Sequence, residues 1–390
     1  MVGTLALVEG KIYFEYSRDF LETGLELSPF KLPLKSGAVC NEDGEFEGLF
    51  GLFNDSLPDG WGRLLIDRYL RKNSIVPETI TALERLLYVG SNFIGALEYK
   101  PNLSADLENN MVKTIDLQTL DNEMQKIIKG DSGDVLEELI SLNGSSAGAR
   151  PKALLQISSD KNQLLYGVDT LQSGFEHWLV KFSNSYDSKY AGNIEYAYSL
   201  MAKKAGLEMP ETHLFHTKEK RAYFGIKRFD RIGDKHLHVH TLCGLVHSNF
   251  RVPSLDYDDL LSVTLMLTKN VTELEKAFRL ACFNVLAHNK DDHEKNVSFI
   301  MDSIGRWRLA PAYDLTFSHG PNGWQSMSVM GEGNTPGIND LIKLAKAHDI
   351  VHYRKIIDDV VSALSQWDTF AEIAGVGKRE SLGIKKMILQ

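Results

Sequence analysis

The sequence predicts an α+β protein: a core of two lobes, the second mostly helical, preceded by a small mixed α/β domain. Three observations carry this. Residues 1–103 mix short alternating runs with helical ones, beginning at Lys11-Ile-Tyr-Phe-Glu-Tyr16. Apolar strand patterns at Ala153–Ile157 and His177–Phe182 are followed by a helical pattern from Ile194. From Leu255 to about Asp368 the apolar spacing is helical, apart from a polar knot and a short hairpin. Residues 104–140 are expected to connect the first domain to the core, which runs over 141–390.

Length and composition fit that division. The 390 residues exceed one typical domain, and 43% apolar with 24% charged content is ordinary for a soluble protein. A net charge of -9 gives no polyanion-binding surface by charge alone. Cys40, Cys243 and Cys282 lack metal-ligand spacing. The N-terminus lacks a basic segment followed by an apolar core, and no run reaches transmembrane length. A cytoplasmic protein without membrane contact is expected.

The first domain opens with a hairpin, Thr4–Val8 and Lys11–Tyr16 around a Glu9-Gly10 turn. Leu27–Leu34 reads as extended because of its prolines. Helices are expected over Gly62–Lys72 and Ile80–Tyr88, and a strand over Ile94–Tyr99. The connector contains one helical pattern between Asp106 and Gly130.

The core begins with Gly144-Ser-Ser-Ala-Gly-Ala-Arg-Pro-Lys152. Small residues there let backbone N–H groups approach phosphate oxygens, and Arg150 or Lys152 adds positive charge. No Gly-Lys-Ser/Thr follows, so this is not a Walker loop, and a plain turn before a strand is the alternative. In the strand His177–Phe182, Lys181 lies on the face opposite Trp178, Val180 and Phe182. The following helix, Ile194–Ala205, leaves Glu195 free to point back toward it. Histidines at 236, 238, 240 and 247 lie near one another, but their alternate spacing on an expected hairpin or loop argues against metal. The tail from Lys378 is expected to be peripheral.

The chemistry concentrates between Asn284 and His319. Thr272-Glu-Leu-Glu275 has a capping-box pattern, opening a helix that ends near His288. Val297–Met301 and Trp307–Ala310 read as two strands around an Asp302-Ser-Ile-Gly305 turn, which returns Asp314 to the side of Asn296. Asp291, Asn296 and Asp314 then share one mouth, and such oxygen ligands suit magnesium held together with nucleotide phosphates. Asp291 and Asn296 are separated by four residues, as in the catalytic loop of protein kinases, where the Asp accepts the hydroxyl proton and the Asn holds metal. Asp292 has the wrong offset by one. His293 falls where protein kinases usually place a lysine near the transferred phosphate. A strand lysine such as Lys181, steadied by a helix glutamate such as Glu195, completes that arrangement. The alternatives are a solvated turn and an edge charge.

Asn289-Lys-Asp-Asp-His-Glu-Lys-Asn296 followed by Trp307-Arg-Leu-Ala-Pro-Ala-Tyr-Asp-Leu315 closely resembles the HipA-type toxin kinases of bacterial toxin–antitoxin modules. The resemblance extends to F-N-D-S-L-P-D-G-W-G-R and V-G-S-N-F-I-G-A-L-E-Y in the first domain and to R-F-D-R at 228–231. It implies a protein-kinase-like core that uses ATP and Mg2+, with Asp291 and His293 catalytic and Asn296 and Asp314 on the metal. It places Ser145, Ser146, Ala147, Gly148, Ala149, Lys152, Lys181, Phe229 and Tyr313 around the nucleotide. Ser145 matches a serine that becomes self-phosphorylated in the best-known family form. The resemblance further implies a protein substrate in the translation machinery, of the aminoacyl-tRNA synthetase class. The implied partner is a HipB-like helix-turn-helix antitoxin that carries the complex to DNA, and in the family the first domain helps to meet it. One departure stands out: His240, Thr241 and Gly244 replace an acidic pair and a glutamine beside the adenine, so those contacts do not carry over. A lipid or small-molecule kinase, and a catalytically weak co-repressor scaffold, are the competing readings.

Overall fold

The computed structural model describes all residues except 91–92, 105–111, 131–135, 144–147, 149, 168–169, 185–186, 218, 220, 253 and 389–390. In the first domain Gly3–Val8 pairs antiparallel with Lys11–Tyr16, with Val8 opposite Lys11. The two turn residues, Glu9 and Gly10, have φ of 49° and 79°, the left-handed pair that a two-residue hairpin needs to match strand twist. Ile12, Phe14 and Tyr16 fill one face of this sheet and are buried against Leu49, Leu52, Phe53 and Leu86.

Two expectations for this domain fail. Residues 28–32 fold back as a tight turn, closed by Leu32 N–H on the Ser28 carbonyl at 2.9 Å, and are not extended. Residues 94–99 form no strand. Backbone groups of Gly95 and of the adjoining Phe93 are satisfied instead by side chains of the R-F-D-R segment. The Gly95 N–H donates to Asp230 (2.8 Å), while Arg228 and Arg231 donate to the Phe93 carbonyl at 2.6 and 2.5 Å. Asp230 is itself gripped by both arginines, at 2.8 and 2.7 Å. Burial opposes its ionisation, but the two guanidinium groups outweigh this and bring its pKa down to about 2.

A six-stranded antiparallel sheet follows, in spatial order Lys113–Thr114, Leu164–Tyr166, Lys152–Ser158, Phe175–Lys181, Ala222–Lys227 and Thr212–His216. One face, carrying Ala153, Leu155, Trp178, Val180 and Phe182, packs under helices Leu117–Lys129 and Leu136–Asn143. The span read as a connector thus supplies a strand and two helices to this unit. Alternation turns Lys152 and Lys181, which face each other in register, to the opposite side.

The third unit is helical: Tyr257–Thr268, Val271–Leu286, Ile338–Ala347, Tyr353–Leu364, Trp367–Ile373 and Lys378–Ile388. A small sheet, His238–Thr241, Ser298–Met301 and Trp307–Leu309, lies beside them. The long helix Val271–Leu286 is capped by Asn270, whose side chain accepts from Thr272 N–H, so the cap falls two residues before the expected one. The tail is not peripheral. It forms the last helix, which buries Ile384 and Ile388 and accepts the Trp367 indole N–H on the Ser381 carbonyl (3.0 Å).

Three of the clustered histidines fasten the first domain to the rest. His238 meets the Leu27 carbonyl (2.9 Å), and His240 bridges Ser28 (3.0 Å) and Asp55 (2.6 Å). His247 accepts from Gly51 N–H at 2.9 Å and meets Asp43 at 3.0 Å. Gly51 and Gly244 are both needed at this seam, because a Cβ on Gly51 would run into the Gly244 carbonyl and one on Gly244 into Asp55. No helix among the described residues is long and apolar enough to cross a membrane.

Candidate functional site

A cavity of about 850 Å³ opens where the three units meet. Its floor on the sheet side is apolar, with Leu179, Phe224, Ile226 and Phe229, and Ile94 and Leu97 of the first domain close the same end. Its other end is lined by charged groups from all three units.

Lys181 organises that charged end. Its ammonium lies 2.6 Å from Glu195 on helix Ala191–Lys204 and 2.5 Å from Asp314 across the cleft. Burial disfavours the charge on Lys181, but Asp314 and Glu195 outweigh it and raise the lysine pKa. Asp314 shows the converse: burial opposes ionisation, yet Lys181, Lys152 and Arg150 hold its carboxyl well below the usual carboxylate range. Glu195 is raised, by burial above all. Lys152 sits in the same field. Burial and the neighbouring Lys181 charge push its pKa down to about 8, against the pull of Asp314 and Asp59. Arg150 approaches Asp187 (3.2 Å) and Glu195 (3.8 Å). Lys181, Lys152 and Arg150 thus gather round Asp314, with Glu195 and Asp187 as further counter-charges, and these are the cations that could meet a phosphate chain.

The hairpin Ser298–Met301 and Trp307–Leu309 delivers the opposing groups. The Ala310 N–H donates to the Ser298 carbonyl (2.8 Å), so the chain returns beside its starting point. Asp314 has φ 55°, a left-handed conformation uncommon for a non-glycine residue. Its surroundings impose it: the carboxylate is fixed on Lys181, and the preceding Tyr313 hydroxyl is pinned between Ser298 Oγ (2.6 Å) and the Lys295 carbonyl (2.8 Å). Tyr313 also packs on Phe229, with ring centroids 5.7 Å apart. Both rings line the cavity.

The two adjacent aspartates of the polar knot part company. The Asp291 side chain is 61% exposed and lines the cavity, with His293 Nε2 4.0 Å away. Asp292 is 1% exposed and accepts from the Tyr257 hydroxyl (2.5 Å), Gln325 Nε2 (2.8 Å) and Ser326 N–H (3.0 Å). Burial pushes its pKa up to about 6. Asn296 donates its amide nitrogen to the Asp291 carbonyl (2.8 Å), so its amide oxygen is the atom left to act as a ligand.

The cavity therefore brings together Asp291, His293, Asn296, Asp314, Lys152, Lys181, Phe229, Tyr313 and Gly148. Ser145, Ser146, Ala147 and Ala149 lie outside the described residues. Asp59, Asp55 and Lys295 are among the lining residues that escaped the sequence reading. Asp59, in the first domain, meets Lys295 at 2.8 Å, and no local pattern couples residues 236 positions apart. Asp55, which accepts from Thr241 N–H and Oγ1 (2.7 Å each), is equally remote from its partners.

A family model for the HipA-like C-terminal domain matches residues 144–367, and a model for the HipA N-terminal domain matches residues 1–100. Among solved structures, the chain is similar to HipA in the Shewanella oneidensis MR-1 complex of HipA, HipB and operator DNA. That alignment has 16% identity and a TM-score of 0.68, and covers 100% of this chain and 94% of the other. The Helicobacter pylori proinflammatory kinase CtkA aligns over 56% of this chain and 87% of its own at 13% identity, with a TM-score of only 0.37. No curated protein matches. The C-terminal model alone spans more than half of the 390 residues, and on that ground the chain belongs to the HipA family.

Proposed function

We propose that the cleft binds ATP with magnesium and transfers the γ-phosphate to a serine or threonine hydroxyl of a protein. The sheet unit and the helical unit are then the two lobes of a kinase-like core. The observation that carries this reading is the Lys181 ammonium held between Glu195 and Asp314, at 2.6 and 2.5 Å, with Asp291 and Asn296 at the same mouth. A strand lysine, a helix glutamate, a catalytic-loop Asp and Asn, and a later Asp are the parts that phosphoryl transfer in kinases needs.

Each side chain has a task in this reading. Lys181 and Lys152 hold phosphate oxygens, and Glu195 keeps Lys181 in place. Asp291, exposed at the mouth, accepts the proton of the attacking hydroxyl, and His293 stands beside it near the transferred group. The apolar end, with Phe229 and Tyr313, takes the base. Asp314 and the amide oxygen of Asn296 fit a magnesium ion: both are hard oxygen donors, and Asp314 stays ionised at any physiological pH. Among the described residues no group of three or more His, Cys, Asp or Glu could hold a metal ion, and the proposed magnesium takes phosphate oxygens and water as its further ligands. When bound, magnesium neutralises charge developing on the phosphate oxygens.

Family membership supplies the rest of the proposal. The substrate is a component of the translation machinery, of the aminoacyl-tRNA synthetase class. A HipB-like helix-turn-helix antitoxin neutralises the toxin and links it to DNA. Ser145, with Ser146 beside it, is the site of self-phosphorylation, which adds roughly -1.5 to -2 of charge and competes with ATP's phosphates.

Calorimetric titration with Mg-ATP tests the site. Asp314→Ala is expected to abolish binding, because Asp314 supplies the full negative charge on the metal, and Asn296→Ala to weaken it less. Wild-type affinity in both variants contradicts the reading.

A further inference from the structure

Asp59 occupies the N-cap of helix Gly60–Lys72, with extended φ and ψ of -113° and -178°. An aspartate in that position ordinarily turns its carboxylate onto the N–H groups of its own first turn. Asp59 makes no such bond. Both of its oxygens point away from the helix, into the cleft between the domains. Oδ1 accepts the Gly148 N–H in a very short bond, and Oδ2 lies 2.8 Å from the Lys295 ammonium. The Trp61 N–H adds a second tie, to the Gly148 carbonyl at 3.2 Å.

The two partners belong to different units and both line the cavity. Gly148 lies four residues before Lys152, the first residue of strand Lys152–Ser158, and its φ of 106° would strain any side chain there. Lys295 lies in the polar knot beside Asn296. Its ammonium also sits 4.5 Å over the Phe250 ring, and its carbonyl receives the Tyr313 hydroxyl at 2.8 Å. Burial works against the Asp59 charge, but Lys295 outweighs it and holds the carboxyl below its usual range. A single carboxylate from the first domain therefore touches the phosphate side of the cleft at Gly148. Through Lys295 it also reaches the backbone that positions Asn296 and Asp314.

We propose that Asp59 is a positioning residue of the phosphoryl-transfer site, through which the N-terminal domain sets the spacing between the phosphate-binding backbone and the metal-binding loop. This rests on the reading of the cleft given above. It makes the first domain part of the active site, over and above any role in meeting a partner.

The test uses the full-length protein, with steady-state kinetics in Mg-ATP and amide hydrogen exchange at Gly148 in the nucleotide-free state. Asp59→Ala is expected to raise KM for ATP about tenfold or more, the loss of a hydrogen bond to a charged group, and to speed exchange at Gly148. Asp59→Asn keeps an acceptor for the Gly148 N–H but not the charge facing Lys295, and should fall between wild type and Asp59→Ala. Arg63→Ala, an exposed change on the same helix, should leave both readouts unchanged. Asp59→Ala with wild-type KM and wild-type exchange overturns the proposal. So does a lowered Tm with KM unchanged, since Asp59 would then only staple the domains. If wild type turns over no ATP, the reading of the cleft fails, while exchange at Gly148 still decides whether Asp59 holds that backbone.

Discussion

At the scale of single residues, Asp291 and Asp292 show how one position of offset separates an exposed carboxylate at the cleft from a buried, fully hydrogen-bonded one. Asp291 is 61% exposed, so Asp291→Asn should leave the fold unchanged. If Asp291 is the base, its loss should cost phosphoryl transfer ~10²–10⁴-fold. Asp292→Ala should do the opposite. It leaves the Tyr257 hydroxyl hydrogen and the Ser326 N–H without that acceptor in a buried site, at about 1–3 kcal/mol each, and removes one of the two acceptors of the Gln325 amide. Chemical denaturation of the two variants separates these outcomes: a lowered midpoint is expected for Asp292→Ala only. The spacing Asp291 to Asn296 was legible because both lie in one short loop. The support for Asp292 was not, because its donors come from residues 257 and 325–326, and no local pattern announces a contact of that range. Lys295 was passed over for the same reason, its partner being Asp59.

At the scale of elements, the sequence read best where period and turn chemistry agree. The hairpin Lys11–Tyr16 and the return at 298–309 combine alternation with turn residues, and both form. It misled where a side chain takes over the work of a strand partner. Ile94–Tyr99 has the apolar content of a strand, but Asp230, Arg228 and Arg231 satisfy backbone groups of Gly95 and of the adjoining Phe93, so no ladder is needed. The helix cap moved for a similar reason, since Asn270 outcompetes Thr272 by binding the Thr272 N–H itself. The Asp230 clasp yields a pH prediction. Its folded pKa of about 2 lies below the ordinary carboxylate value. Its contribution is therefore complete above pH about 4 and lost as pH falls through about 2. Asp230→Asn should destabilise the protein by about 3–5 kcal/mol at neutral pH, because two buried guanidinium groups lose their counter-charge. Its acid-unfolding curve should be flatter than wild type between those limits. An unchanged acid limb in Asp230→Asn would show that other carboxylates dominate.

At the scale of the whole molecule, three units share one cleft. Alternation in His177–Phe182 put Lys181 on the face away from Trp178, Val180 and Phe182, and Lys152, read as the end of a loop, pairs with it in register. What composition could not give was how closely the first domain is bound in. His238, His240 and His247, whose spacing argued against metal, are spent on the seam with residues 27–55, which no local pattern announced. Polar residues 104–140 read as a connector, but the amphipathic helix Leu117–Lys129 buries Leu120, Met124 and Ile127 on the sheet. The central claim is that this cleft moves a phosphate. The most direct measurement is intact-mass and peptide mass spectrometry of the purified protein incubated with Mg-ATP and a translation extract, wild type beside Asp291→Asn. The account predicts phosphate on serine or threonine of an extract protein, or on Ser145 or Ser146 of the chain itself, with wild type only. Equal phosphorylation by Asp291→Asn, or none by a wild type that binds Mg-ATP, would contradict it.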